Sequence, residues 1–239
     1  MALPVFYHET DWKTGIEISL PEDTARHVVQ VLRMQQGEPL QLTDGKGTLT
    51  AVHIALAEKK KCTVLVDEVV VHPPKKHPLH LAVAFTKNSS RNEWLLEKAT
   101  ELGVSSIIPL IVARSEKEKI RYERWKTILV SALIQSHQYY LPQLWTSVSL
   151  PQLLKQTADI PQKLIAHCLE GTEKIYVQQS LPNTETLLLI GPEGDFTSDE
   201  INLCSGAGFR AVDLGSQRLR TETAAMAAAA YFNFINHEK

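Results

Sequence analysis

Two stretches, Leu189-Ile190-Gly191-Pro192-Glu193-Gly194-Asp195-Phe196 and Leu214-Gly215-Ser216-Gln217-Arg218-Leu219-Arg220-Thr221-Glu222-Thr223-Ala224, decide how this sequence is read. Each follows an apolar run of strand character (186–190 and 211–214) and leads into a helix-forming segment. Turns of that kind sit at the carboxyl ends of parallel strands, where open α/β sheets bind their ligands. Gly191 and Gly194 are expected to take positive φ and to bring the backbone close to a ligand. Pro192 fixes its own φ and lacks an amide hydrogen, which leaves Glu193, Gly194 and Asp195 as the donors of that turn.

Working outward, strand-like runs at 79–85, 106–112, 163–169, 186–190 and 211–214 alternate with helical ones at 93–102, 121–137, 198–207 and 222–235. That alternation predicts an α/β domain with a mainly parallel sheet over residues 79–239. Ser90-x-x-Glu93 and Thr197-x-x-Glu200 read as capping boxes, with Gly103 and Gly208 at the C-terminal caps. The stretch 142–161 reads as neither helix nor strand. His72-Pro73-Pro74-Lys75-Lys76-His77-Pro78 has no apolar period and reads as a linker over 73–78, setting a boundary near residue 75. Before it, residues 1–72 carry β-like runs at 5–7, 16–20, 39–43, 49–56 and 62–71 around one helical stretch, 23–34. Asp44-Gly45-Lys46-Gly47 is a hairpin turn between two of these runs. A small β-barrel or curled sheet with one helix is expected there.

Composition narrows the function classes. Hydrophobic types make up 44% of the 239 residues, enough for real cores in two modest domains. No apolar run approaches the roughly 18–20 residues of a membrane helix, and Met1-Ala2-Leu3-Pro4 does not open a signal peptide, so a cytoplasmic protein is expected. Cys62, Cys168 and Cys204 are few and far apart, which suggests reduced, mostly buried thiols and no metal site. The formal net charge of −2 argues against a protein that coats nucleic acid by bulk electrostatics. An RNA partner would need local patches, such as 59–61, 75–76, Lys87 with Arg91, or 114–126; each taken alone reads better as a solvated face.

The two glycine-bearing stretches, in this order, resemble the SPOUT class of RNA methyltransferases, and within it the RsmE family, which methylates N3 of a uridine in 16S ribosomal RNA. His27-Val28-Val29-Gln30-Val31-Leu32-Arg33 with Asp44-Gly45-Lys46-Gly47 resembles that family's PUA-like RNA-binding domain. Lys87, Arg91, Glu97-Lys98-Ala99-Thr100-Glu101-Leu102-Gly103-Val104, Gln135-Ser136 and Leu141-Pro142 resemble the start of its methyltransferase domain. The resemblance implies a PUA-like β-barrel followed by an α/β domain with a deep trefoil knot, in which the 214–224 segment threads an earlier loop. It also implies a homodimer acting on 16S rRNA of the small ribosomal subunit, with no metal.

The same resemblance implies S-adenosylmethionine as cofactor, bound by Leu169, by Ile190, Gly191, Pro192, Glu193 and Gly194, and by Leu214, Gly215, Leu219, Arg220, Thr221, Glu222, Thr223 and Ala224. Each leucine taken singly fits core packing better. Arg220 and Glu222 are the catalytic candidates: Arg220 to stabilise negative charge on the uracil, Glu222 to orient it or accept its proton. Glu222 fits equally the first turn of the last helix, and Glu193 a loop tie. His27, Arg33, Lys46, Lys87 and Arg91 are expected on RNA, although His27 also suits a partly buried structural role. Two positions depart from the family pattern: Asp195 where a second glycine often stands, and Gln138 where a basic residue commonly follows Gln-Ser. The rival readings are a non-catalytic RNA or ribosome assembly factor of the same fold and a nucleotide-using α/β enzyme. The latter lacks any Gly-x-Gly-x-x-Gly or Gly-x-x-x-x-Gly-Lys-Ser/Thr.

Overall fold

The computed structural model describes residues 3–59, 61–116 and 120–236. Lys60 of the 59–61 patch and residues 117–119 of the 114–126 run lie outside them. The chain divides into two units, Met1–Pro74 with Leu133–Leu141, and Lys75–Ala132 with Pro142–Lys239. A single boundary near residue 75 does not anticipate the share that Leu133–Leu141 takes in the first unit.

In the first unit, β1 (Val5–Tyr7), β2 (Glu17–Ser19), β3 (Pro39–Thr43), β4 (Thr48–Ala57) and β5 (Cys62–Val71) form one sheet in the order β1-β3-β4-β5-β2. All pairings are antiparallel except β1 with β3. Alternate residues of β4, Thr48, Thr50, Val52 and Ile54, are buried, as a half-covered strand requires. Register shifts at Ala51/Val52 and Ile54/Leu56 bend the sheet over a core of Leu40, Leu42, Val52, Ile54, Val64 and Val66 with Ala25 and Val28. The hairpin turn forms as expected: Asp44 Oδ1 accepts from the amides of Lys46 (2.7 Å) and Thr48 (3.1 Å). Gly45 (φ 68°) and Gly47 (φ 100°) take left-handed backbone. Leu141 and Tyr140 fill the space their missing side chains leave, and the Tyr140 hydroxyl donates to the His72 carbonyl at 2.7 Å.

The single helix expected over 23–34 is instead α1 (Glu22–Arg26) followed by a π-helical segment, His27–Val31. Val28, Val29 and Val31 are β-branched and crowd an α-helical turn. The segment ends where Arg33 takes φ 57° and the Met34 amide donates to the Val28 carbonyl, a cap usually given to glycine.

The second unit contains β6 (Leu79–Val83), α2 (Ser89–Glu101), β7 (Ser106–Ile111), α3 (Tyr122–Gln135), β8 (Gln143–Leu144), β9 (Val148–Ser149), α4 (Leu150–Gln156), β10 (Gln162–Ala166), β11 (Ile175–Tyr176), β12 (Thr186–Ile190), α5 (Ser198–Gly206), β13 (Arg210–Asp213) and α6 (Thr221–Ile235). The last residues of α3 fall in the first unit's segment. The sheet runs β11-β13-β10-β12-β6-β7-β8, with β9 on β7, and is parallel throughout. Strand β12, Thr-Leu-Leu-Leu-Ile, is buried along its whole length, as a central parallel strand covered on both faces must be. Ile201, Cys204 and Phe209 pack with Leu150 and Leu153 of α4 on one core; α6 packs on α2, β6 and β12. Ala225, Ala228 and Ala229 are buried.

Both expected C-terminal caps form. Gly103 (φ 70°) and Gly208 (φ 84°) follow α2 and α5, and the Val104 and Phe209 amides reach back to the carbonyls of Ala99 and Cys204 in the Schellman pattern. Thr197 and Glu200 make their capping box. Ser90 and Glu93 do not: Asn88 caps α2, its Oδ1 accepting from the Arg91 amide at 3.2 Å. The helix thus begins about one turn earlier than expected, and Glu93 pairs with Arg124, whose guanidinium holds that carboxyl below the usual carboxylate range. The undecided stretch holds β8, β9 and α4, the last with a capping box of Ser149 and Gln152. Strand β10 stops at Ala166, which releases His167, Cys168 and Leu169 into a loop.

Candidate active site

Strands β13, β10 and β12 are neighbours in the sheet, so the loops at their carboxyl ends converge although they lie far apart in sequence. Side chains fasten the three together. Asp195 Oδ2 accepts from the Cys168 amide at 2.8 Å, tying the loop after β12 to the loop after β10. The Thr221 hydroxyl donates to the Gly191 carbonyl at 2.9 Å, and Arg218 Nη2 to the Glu193 carbonyl at 3.4 Å, tying in the loop after β13. Arg114 reaches across and donates to the Gly194 carbonyl at 2.6 Å.

The turn after β12 does not take the expected conformation. Neither Gly191 nor Gly194 has positive φ; Asp195 does, at 63°. The Asp195 amide donates to the Pro192 carbonyl, and its Oδ1 accepts from the Phe196 amide at 2.8 Å. Aspartate tolerates left-handed backbone better than most residues, which explains how it stands where the family often has glycine. The two glycines make room for protein: a Cβ on Gly191 would lie 3.0 Å from the Phe196 ring, and one on Gly194 3.3 Å from Arg114. Gly215, at φ 129°, has open space where its Cβ would be.

The expected cofactor residues divide by environment. Ile190, Pro192, Thr221 and Glu222 are buried; Gly191, Leu214, Leu219 and Ala224 are half-buried. Glu193, Gly194, Gly215, Arg220, Thr223 and Leu169 are exposed. Arg220 is the N-cap of α6, and its guanidinium has no partner among the described residues. Glu222 lies in the first turn of that helix with its side chain 11% exposed. Its Oε1 is 3.5 Å from Arg91 Nε, and its Oε2 is buried without a hydrogen-bond partner. An unpaired buried carboxylate oxygen is costly.

His167 is missing from the expected set. It is buried, neither ring nitrogen has a partner, and burial lowers its pKa below 6.5; Lys174 adds to that shift and Asp195 opposes it. Asp195, Arg114 and Arg218 are likewise absent as loop fasteners. Only Asp195 carried a sequence signal, as a departure from pattern.

The expected RNA contacts fall in both units. In the first unit, Lys46 pairs with Glu9 at 2.7 Å, His27 meets the Phe6 ring edge-on, and Arg33 is exposed. In the second, Lys87 pairs with Glu116 at 2.7 Å, which raises the lysine pKa and lowers that of the carboxyl. Arg91 stands with Glu193 (3.3 Å) as well as Glu222. Gln138 closes α3, its amide donating to the Leu133 carbonyl after His137 at φ 53°. Cys62 and Cys204 are buried and Cys168 is exposed, all free. Among the described residues no group of three or more His, Cys, Asp or Glu could hold a metal ion, and no helix is long and apolar enough to cross a membrane.

S-adenosylmethionine suits these three loops. They offer apolar side chains at Ile190, Leu214 and Leu219 and backbone left open at Gly215. Flat apolar faces with polar edges bind in clefts of that composition.

Comparison with known proteins agrees. A family model described as an RNA methyltransferase domain matches residues 73–233, and one described as an RNA methyltransferase PUA domain matches residues 20–67. The ribosomal RNA small subunit methyltransferase E of Rickettsia conorii is 31% identical over 92% of this chain and 90% of its own. A solved structure described as an rRNA-methyltransferase from Porphyromonas gingivalis is 36% identical with a TM-score of 0.89, covering 98% of both chains. A methyltransferase structure from Legionella pneumophila with bound cofactor SAM is 31% identical, with a TM-score of 0.86 over 99% of both chains. The fold is thus α/β of the SPOUT type preceded by a PUA domain, and the chain belongs to the ribosomal RNA small subunit methyltransferase E family.

Proposed function

We propose that this protein transfers a methyl group from S-adenosylmethionine to N3 of a uridine in 16S ribosomal RNA of the small subunit, in the cytoplasm and as a homodimer. The observation that carries the reading is the convergence of the 167–169, 190–195 and 214–224 loops around a buried, half-partnered Glu222 in a chain of this family. When bound, S-adenosylmethionine supplies an electrophilic methyl on a positively charged sulfur.

The chain's own residues do the rest. Uridine N3 carries a proton at neutral pH and must shed it to become a nucleophile. Glu222 Oε2, the oxygen without a partner, accepts that proton or orients the N3–H bond. Arg220, unpaired at the start of α6, offsets negative charge on the neighbouring carbonyl oxygens as it develops. The loop fasteners Asp195, Thr221 and Arg218 hold the geometry in which acceptor and donor meet, and orientation of that kind supplies much of such an acceleration. Arg33, Lys46 and Lys87 grip phosphate and position the RNA without reading its sequence.

The decisive experiment incubates the protein with labelled methyl donor and small ribosomal subunits that lack the modification, then digests the RNA. Label in N3-methyluridine is expected. Label in another nucleoside, or none despite calorimetric binding of the cofactor, overturns the reading.

A further inference from the structure

Arg91 was expected on RNA, yet its surroundings are those of a residue already engaged. Its backbone is fixed in the first turn of α2, where the amide donates to Asn88 Oδ1. Its side chain is only one-third exposed, at 32%. Nη1 donates to Glu193 Oε1 at 3.3 Å, and Nε lies 3.5 Å from Glu222 Oε1. Lys46 and Lys87 each pair with a single carboxylate and, at 68% and 75% exposed, stay open to phosphate, whereas this guanidinium sits between two carboxylates, and a phosphate brought to it meets both at close range. Arg33 and Arg220 differ, being exposed with no ion pair among the described residues.

From Glu222 the same contact has another meaning. A carboxylate this buried is destabilised by lost hydration unless an opposite charge stands near. Arg91 is the cation paired with it. Because Arg91 addresses Oε1, Oε2 is the oxygen left to meet substrate. Glu193, in the Gly-Pro-Glu-Gly turn, holds the guanidinium from its other side and so joins that turn to the first turn of α6.

We propose that Arg91 is a positioning residue for Glu222, fixing which carboxylate oxygen faces the uridine, and is not a phosphate clamp. The inference rests on the reading of Glu222 as the group that accepts or orients the N3 proton.

The test compares Arg91→Ala, Arg91→Lys, Glu222→Gln and the double variant Arg91→Ala/Glu222→Gln. The readouts are the single-turnover methylation rate on unmodified small subunits at saturation, and the salt dependence of subunit binding. Arg91→Ala is expected to lower the saturating rate by about tenfold or more, with subunit affinity and its salt slope unmoved. Arg91→Lys recovers part of the rate, and in the Glu222→Gln background the loss of Arg91 costs little more. A normal saturating rate in Arg91→Ala, with weaker binding and a salt slope shallower by about one, overturns the proposal in favour of a phosphate contact. Additive losses in the double variant overturn it too. If Arg91→Ala fails to bind S-adenosylmethionine in calorimetry, Arg91→Lys carries the same comparison. A near-normal rate in Glu222→Gln overturns the assignment of Glu222 itself, whereas an impaired Glu222→Gln beside a normal Arg91→Ala overturns this inference alone.

Discussion

In the proposed mechanism the chemistry rests on two residues of opposite exposure at the start of α6, Arg220 outside and Glu222 buried. Glu222→Gln removes the proton acceptor and should lower kcat by about 10²-fold or more, and Arg220→Ala should do the same by removing charge stabilisation. Steady-state kinetics on unmodified subunits check both, and near-normal kcat would take them out of the mechanism. Asp195 ties the loop after β12 to the loop after β10. Alanine there takes on the left-handed backbone cost and loses both side-chain bonds, about 2–3 kcal/mol together. Cofactor affinity should therefore fall about tenfold or more by calorimetry, with Asp195→Gly, which relieves the φ cost, losing less. These residues show how far the sequence could be read. The place of Arg220 and Glu222 at the start of the last helix was legible because their motif stands between an apolar strand run and a helix-forming stretch. The use of Gly191 and Gly194 was not, because a glycine's reason depends on what fills the space beside it, here Phe196 and Arg114. His167 was hidden for a similar reason: an orphaned ring is a property of its surroundings.

At the scale of elements, periodic patterning located the long strands and helices, while marginal signals misled. Ser90 with Glu93 suggested the cap of α2, but Asn88, two residues earlier, makes it. Strands β8, β9 and β11 have two residues each, too few for any period to show. The capping box of α4 was present as Ser149-x-x-Gln152 but lay among prolines that made the stretch look like loop. The hairpin between β3 and β4 yields a prediction of its own. Gly47→Ala would place a Cβ 2.2 Å from the Tyr140 hydroxyl on a backbone at φ 100°, and should destabilise the first unit by about 2–4 kcal/mol, seen as a lower urea midpoint. In α5, burial and then the charge of Glu200 push the Cys204 thiol from 9.0 up to about 12. Its folded pKa exceeds its unfolded one, so its contribution to stability is whole below pH 9 and drains away as pH rises toward 12. Urea unfolding of Cys204→Ala across that range should show a shallower alkaline decline than the parent.

For the whole molecule, a net charge of −2 means that RNA must be held by a few cations against a background that does not favour it. With Arg33, Lys46 and Lys87 as phosphate contacts and Arg91 excluded, binding should weaken with salt at a slope of about −2 to −3 per protomer. A slope near −6 in filter-binding titrations would mean that a larger basic surface had been overlooked. The sheet order β11-β13-β10 carries a different consequence. Strand β13 is made after both of its neighbours, and β11, which pairs with β13 alone, cannot join the sheet until β13 lies on β10. The last loop of the cleft hangs from β13. During synthesis or refolding, the capacity to hold ligand therefore arrives late, and partly folded chains gain no protection from the cofactor until β13 is in place.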